Sequence, residues 1–222
     1  MEALIPVLFI GGALAVVGII AYFSHRAAKK RTADLMEAAE SRGLVFQTDG
    51  EGLLSRFGSF KLFSRGRGQR ISNIVSGDAG DVAIAIFDYR YTTGSGKNST
   101  THNQTVVSFV SPNLMTPDFL VRPQGFFDRV GSALGFQDID FDTHPEFSKM
   151  FVLQGSDEAA IRAFMVPRVL ELFETKKGIC LEADRDTLFF YNARSLAKPD
   201  QVKDLLSEAY EFYNCIIGDT GE

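Results

Sequence analysis

The chain has 222 residues, of which 45% are hydrophobic, and its 23 Lys and Arg against 28 Asp and Glu give a net charge of −5. Without Glu2 and the four basic residues between 26 and 31, the chain has 19 basic and 27 acidic residues. This acidic excess argues against nucleic acid as a partner, because phosphate binding requires positive charge. The part beyond the first segment, about 180 residues, is long enough for one domain with its own core.

Residues 3–23 predict a transmembrane helix. They are 21 consecutive residues without a formal charge. At about 1.5 Å per residue they match the ~30 Å hydrocarbon core of a bilayer. A cleaved signal peptide is the main alternative, but its basic residues come before the apolar run, whereas here they follow it. The other alternative is a buried helix of a soluble protein, which the length of the run and its basic flank disfavour. An uncleaved single-pass anchor is therefore predicted.

The basic residues after this run predict its orientation. Arg26, Lys29, Lys30 and Arg31 follow it within eight positions, and positive charge beside a span tends to stay in the cytoplasm. We expect the N-terminus outside and the domain inside, at the inner face of a bacterial-type cell membrane. The same four residues are candidates for contact with anionic lipid headgroups. The only cysteines, Cys180 and Cys215, show no disulfide spacing, which agrees with a cytoplasmic domain.

Three segments follow from this interpretation. Residues 1–24 form the anchor, residues 25–42 a basic juxtamembrane helix that continues it, and residues 43–222 one cytoplasmic domain. Within the anchor, Gly11, Ala15 and Gly18 share one helix face. Small residues allow close approach of membrane helices, so this stripe is a candidate for weak homodimerisation.

The first half of the domain predicts strands. A short strand is expected at 44–47, and longer ones at 71–76, 82–92 and 100–110. The segments that separate the longer three are made of turn residues such as Gly77, Asp78, Gly94 and Gly96. Strands joined by such turns form an antiparallel meander.

The second half mixes helices and strands. A short edge strand is predicted at 119–121 before Pro123, a helix at 125–134 and a strand at 150–153. Helices follow from Ser156 with a break at Pro167, then a hairpin at 179–183 and 187–191, and a final helix from Pro199 to about Cys215. The predicted fold class is α+β. The 20 Phe and absent Trp indicate core filling more than recognition.

Residues 138–144 are a candidate metal site, since Asp138, Asp140, Asp142 and His144 alternate along the chain. In an extended segment these side chains would share one edge, and their oxygen-rich set suits Mg²⁺, Mn²⁺ or Ca²⁺. An EF-hand needs Gly and Glu where Thr143 and Lys149 stand. A solvated acidic loop is the preferred interpretation.

Arg65, Arg67 and Arg70 are a candidate anion-binding cluster, because guanidinium groups bind phosphate and carboxylate bidentately. Exposed arginines that only aid solubility are the alternative. With few His and Cys residues, the sequence predicts no catalytic grouping and no cofactor. The predicted function is a membrane-anchored, non-catalytic cytoplasmic binding or scaffolding domain, with an unknown protein partner. The alternative is a membrane-tethered metal-dependent hydrolase that uses residues 138–144.

Overall fold

The computed structural model describes residues 4–125 and 138–218, with side chains from Tyr22 onward. Helix α1 runs without a break from Leu4 to Glu40. Among the residues that the structure describes, no helix combines the length and the apolar character that a membrane crossing requires. The transmembrane helix predicted within residues 1–24 therefore has no support from the structure and stays a prediction.

The described strands form one antiparallel sheet, and together with the helices they make the fold α+β. Its order is β1-β2-β3-β4-β8-β7-β5-β6. The strands are β1 Val45–Asp49, β2 Arg67–Ala79, β3 Val82–Thr93, β4 Thr100–Val110, β5 Thr116–Pro123, β6 Phe151–Gly155, β7 Ile179–Arg185 and β8 Thr187–Asn192. The predicted meander is β2-β3-β4, and the predicted hairpin is β7-β8.

Helices lie on both faces of this sheet. They are α2 Glu51–Phe57, α3 Lys61–Ser64, α4 Pro145–Met150, α5 Glu158–Phe164, α6 Pro167–Glu174 and α7 Val202–Ile217. Pro167 begins α6, because its missing N–H is not needed in the first turn. The helix predicted at 125–134 falls almost wholly on residues 126–137, outside the described residues.

Strand β5 differs from its prediction as an edge strand. It lies between β6 and β7 and pairs with both. A proline cannot donate to a ladder, which normally confines it to edges. Here Pro117 falls in the register irregularity between Thr116 and Phe119, and Pro123 is the last residue of the strand. Pro117 therefore avoids the regular ladder with β7, and Pro123 lies at the end of the ladder with β6, opposite Phe151.

Two apolar layers form the core. On one face, helices α4–α7 pack against the strands through side chains such as Phe109, Phe173 and Phe212. On the other, α2 and α3 place Phe57 and Phe63 against strand residues such as Phe189. Burial of each such ring contributes about 1.5–3 kcal/mol. Most of the sheet is therefore covered on both sides.

Helix α1 packs on the same face as α7. Leu35 and Ala39, four residues apart on α1, are buried. Both line a small apolar depression with Ile86 of β3 and Val202 of α7. Arg31 lies one turn before Leu35 on the same side of the helix. The part of α1 before Leu35 therefore runs past residues of β2 and β3, with which Ser24, Ala28 and Arg31 line a groove.

Candidate functional site

A groove of about 850 Å³ lies between α1 and strands β1–β4. We call it the α1 groove and define it by Ser24, Ala28 and Arg31 of α1, Arg70 and Asn73 of β2, Asp88 and Arg90 of β3, and Asn103 of β4. Its volume is in the range of small-molecule sites, about 300–1,000 Å³. Ser24, Ala28 and Arg31 follow each other at spacings of four and three, so they form one stripe of the helix.

An ion pair between Arg31 of α1 and Asp88 of β3 joins the two sides of the α1 groove. Arg31 Nε donates to Asp88 Oδ2 and Arg31 Nη2 to Asp88 Oδ1, each at 2.7 Å. The two side chains are 12% and 11% exposed. Such bidentate, charge-assisted pairs are the strongest of the common side-chain contacts. The Arg31–Asp88 pair therefore fixes α1 on the sheet.

Further hydrogen bonds satisfy the remaining capacity of Asp88. Asn73 Nδ2 donates to its Oδ2 at 2.9 Å and Thr105 Oγ1 to its Oδ1 at 3.2 Å. Thr32 Oγ1, on α1, donates to Asn73 Oδ1 at 2.9 Å. A buried carboxylate needs such partners, because an unpaired charge in a partly dry site is costly. The network joins α1 to β2, β3 and β4.

Asn73 reaches this network through an irregularity of β2. The register of β2 against β3 shifts between Ser72 and Val75, and Asn73 has a φ of 52°. Asn tolerates this left-handed conformation better than most residues with a side chain. The irregularity therefore lets the Asn73 amide contact both α1 and Asp88.

Two further arginines lie side by side in the groove. Arg70 and Arg90 are direct Cα partners in the β2-β3 ladder, so their side chains project from the same face. Both are exposed. Arg70 Nη2 approaches Asp49 Oδ2 at 3.4 Å, and both of these side chains are more than half exposed. Within the described part of the chain, the Arg90 side chain makes no hydrogen bond or ion pair. We call these two residues the Arg70–Arg90 pair.

Sequence reasoning missed Asp88 and Arg90. The face of β3 that carries Val82, Ile84 and Ile86 changes from apolar to charged at these two positions. A switch of polarity along one strand face marks the point where its apolar cover ends. This signal was available in the sequence, although the partner Arg31, 57 positions from Asp88, was not.

The predicted membrane-contact residues differ in their surroundings. Arg26, Lys29 and Lys30 are exposed on α1. Arg31 is turned toward Asp88, and its Nη1 also donates to the carbonyl of Ala197. Of the four residues predicted to contact the membrane surface, Arg26, Lys29 and Lys30 thus have exposed side chains, whereas Arg31 is paired within the protein.

The structure does not bring Arg65, Arg67 and Arg70 together. Arg70 lines the α1 groove, whereas Arg67 donates to the carbonyl of Gly94 and to Ser99 Oγ. Arg65 is partly buried near Tyr91. Burial lowers its pKa, and so do nearby positive charges. The three do not form one anion clamp.

Arg65 belongs to a second polar cluster with Arg122, Arg194, Tyr91 and His102. Burial lowers the pKa of His102, and the charges of Arg194 and Arg65 lower it further. Burial raises the pKa of Tyr91, against the opposing influence of the same two guanidinium groups. The three arginines all make further contacts within the protein. We interpret this cluster as part of the fold.

The predicted metal ligands of residues 138–144 do not converge. Asp138 Oδ1 accepts from the Leu153 N–H at 2.9 Å, and His144 Nδ1 lies 3.0 Å from Thr143 Oγ1. Asp140 and Asp142 are exposed. Within the described ranges, no three His, Cys, Asp or Glu side chains are grouped as a metal ion would require. Asp138 instead fixes the loop to β6.

No family model matches the chain, and no curated protein matches it. The fold is similar to that of the crystal structure of the mycobacterial trehalose monomycolate transport factor A, TtfA, with a TM-score of 0.59 and 15% sequence identity. The similarity covers 84% of this chain and 92% of that one. At this identity the likeness concerns the fold alone.

Proposed function

We propose that the chain is a membrane-tethered, non-catalytic binding domain on the cytoplasmic side that serves as an accessory factor for a membrane transport process. A single span within residues 1–24 would hold it, with the N-terminus outside. The domain would present its binding surface next to the bilayer.

The observation that carries this proposal is the fixation of α1 by the Arg31–Asp88 pair. Ser24 directly follows the apolar run, and Arg31 lies seven residues later, about 10 Å along the helix. The headgroup layer of one leaflet is about 5–8 Å thick. A helix fixed to the sheet at this point holds the domain against the membrane surface. A flexible linker would give no defined orientation.

Two further observations support the proposal. The basic residues after the apolar run favour a cytoplasmic domain. The fold is similar to that of a mycobacterial transport factor. The alternative, a metal-dependent hydrolase, would need at least three of the residues Asp138, Asp140, Asp142 and His144 at one point, and the described side chains offer no such grouping.

Membrane attachment and orientation can be tested together. Membranes that contain the full chain are washed with alkaline carbonate, and intact spheroplasts are treated with protease. We expect the chain to stay in the membrane pellet and its domain to be digested only after lysis. Release by carbonate would overturn the anchor, and digestion without lysis would overturn the orientation.

The accessory role in transport is tested by identifying the protein that the chain contacts in the membrane. Cross-linking in the native membrane, followed by purification and mass spectrometry, should recover an integral membrane transporter with the chain. Asp88→Asn should lower this recovery, because it weakens the fixation of α1. Recovery of the chain alone would contradict the transport role.

A further inference from the structure

We propose that the α1 groove binds a phosphate group, with the Arg70–Arg90 pair as its two cationic ligands and a phosphorylated lipid headgroup as its source. The source rests on the proposed function, since it requires the groove to lie at the membrane surface. The phosphate chemistry rests on the groove itself.

The first argument is the placement of Arg70 and Arg90. They are directly opposite each other in an antiparallel ladder. Like charges in this arrangement repel and weaken the strand pair. Only Arg70 has a counter-charge among the described residues, and its contact with Asp49 is long and exposed. An anion between the two guanidinium groups would remove the repulsion. A tetrahedral phosphate offers enough oxygens to accept from both.

The second argument is the charge of the groove. Its lining holds three arginines, Arg31, Arg70 and Arg90, and one carboxylate, Asp88. Asp88 is occupied by Arg31 at 2.7 Å and by Asn73 at 2.9 Å. The lining therefore leaves the charge of Arg90 uncompensated, and Arg70 has only its long, exposed contact with Asp49 outside the lining. This local positive charge stands against a net charge of −5 for the whole chain. Locally concentrated positive charge in a concave site favours anionic ligands.

The third argument is the position and polarity of the groove. Ser24, at its α1 side, is the first residue after the apolar run that ends at Phe23. Thr48, Ser72 and Asn103 add hydroxyl and amide groups to the lining. These groups suit the neutral polar part of a headgroup, while the arginines suit its phosphate.

The test uses the full chain in a neutral detergent, so that binding is measured independently of membrane topology. Isothermal titration calorimetry is carried out with a short-chain phosphatidic acid, with glycerol 3-phosphate and with a short-chain phosphatidylcholine. The variants are Arg70→Gln and Arg90→Gln. Arg67→Gln is the matched control, since it removes the same charge from the same strand outside the groove.

We expect Arg70→Gln and Arg90→Gln each to weaken phosphatidic acid binding about tenfold or more, as the loss of a charge-assisted hydrogen bond implies. Their melting temperatures should not fall, because the repulsion is relieved. Tighter binding of phosphatidic acid than of glycerol 3-phosphate would support a lipid source. Equal binding of both, lost in the same two variants, would support a phosphate site that is filled from solution.

Unchanged affinity in Arg90→Gln, or an equal loss in Arg67→Gln, would overturn the site. Phosphatidylcholine as tight as phosphatidic acid would do the same, because a phosphate diester next to a cation presents less net charge to the arginines. The outcome is separate from that of the carbonate and protease experiments. If the chain binds phosphatidic acid in detergent but is released by carbonate, the phosphate site stands and the membrane anchor is refuted. If the chain stays in the membrane but does not bind, the anchor stands and the phosphate site is refuted.

Discussion

Replacement of Arg31 by Met tests whether the Arg31–Asp88 pair fixes α1. The change keeps the apolar stem and leaves the carboxylate of Asp88 in a site where its side chain is 11% exposed. Removal of one partner of a buried pair costs about 3–5 kcal/mol. Asp88 keeps the hydrogen bonds from Asn73 and Thr105, so the lower end applies. We expect a loss of about 3 kcal/mol in the free energy of unfolding.

This loss is measurable as a melting temperature. For a domain of this size, 1 kcal/mol corresponds to about 2–4 °C, so Arg31→Met should melt about 6–12 °C lower. The chain has six Tyr and no Trp, so near-ultraviolet circular dichroism of tyrosine reports the tertiary structure. Tyr89 and Tyr91 of β3 are both buried and their rings stack at 5.5 Å. Unfolding of β3 should abolish their signal.

A double-mutant cycle separates the pair from its surroundings. Asp88→Asn and Arg31→Met together should cost less than the sum of the single changes, by about 1–3 kcal/mol. Arg26→Gln is the control on the same helix, since the side chain of this exposed residue makes no hydrogen bond or ion pair with a described residue. Additive single changes, or a loss in Arg26→Gln as large as in Arg31→Met, would refute the reasoning.

Three other predictions concern the domain. Burial raises the pKa of Glu182 to about 7, against the N–H groups of Leu62 and Lys61. The stability that Glu182 contributes is therefore complete below about pH 4.5, and the free energy of unfolding falls by about 3 kcal/mol as the pH rises through 7. Glu182→Gln should remove this fall, as measured by urea titrations at several pH values. Phe189→Ala should cost about 3–5 kcal/mol in the same assay, since its ring lies 4.8 Å from Phe57. Asp142→Asn should leave the calorimetric response to Mn²⁺ or Ca²⁺ unchanged.

The meander could be predicted because its information is local. Turn residues separate the runs, and β2 ends at Ala79 only three positions before β3 begins at Val82. The hairpin of β7 and β8 has the same character, with a turn at Arg185 and Asp186. Short connections leave few other pairings for the strands that they join.

The position of β5 could not be predicted, because the pairing partners are distant in sequence. Its neighbours β6 and β7 begin at Phe151 and Ile179. In the sequence, Pro123 favours an edge strand, but a proline at the end of a strand leaves the interior ladder intact. Local chemistry therefore gave the strand and not its place in the sheet.

The groove could be predicted only in part for a similar reason. The sequence predicts separate roles for Arg31 and Arg70, membrane contact for the first and anion binding for the second. Their common groove depends on the docking of α1, which rests on contacts across 57 positions between Arg31 and Asp88. Arg90 appears in sequence as one more residue of an alternating strand. The proposed role of Arg90 depends on Arg70, which lies directly opposite it in the β2-β3 ladder.

The Arg31–Asp88 pair also determines the charge that the groove presents. Asp88 and Arg90 are two residues apart on β3, so both project from the same face. If α1 left the sheet, the Asp88 carboxylate would lose Arg31 and lie beside Arg90, which has no other described counter-charge. An intramolecular partner would then compete with an external anion for Arg90. Docking of α1 therefore forms one side of the groove, and it also keeps Asp88 paired with Arg31, so that Arg90 remains available to an external anion. The fixation of the helix and the affinity for phosphate are, on this argument, two consequences of one ion pair.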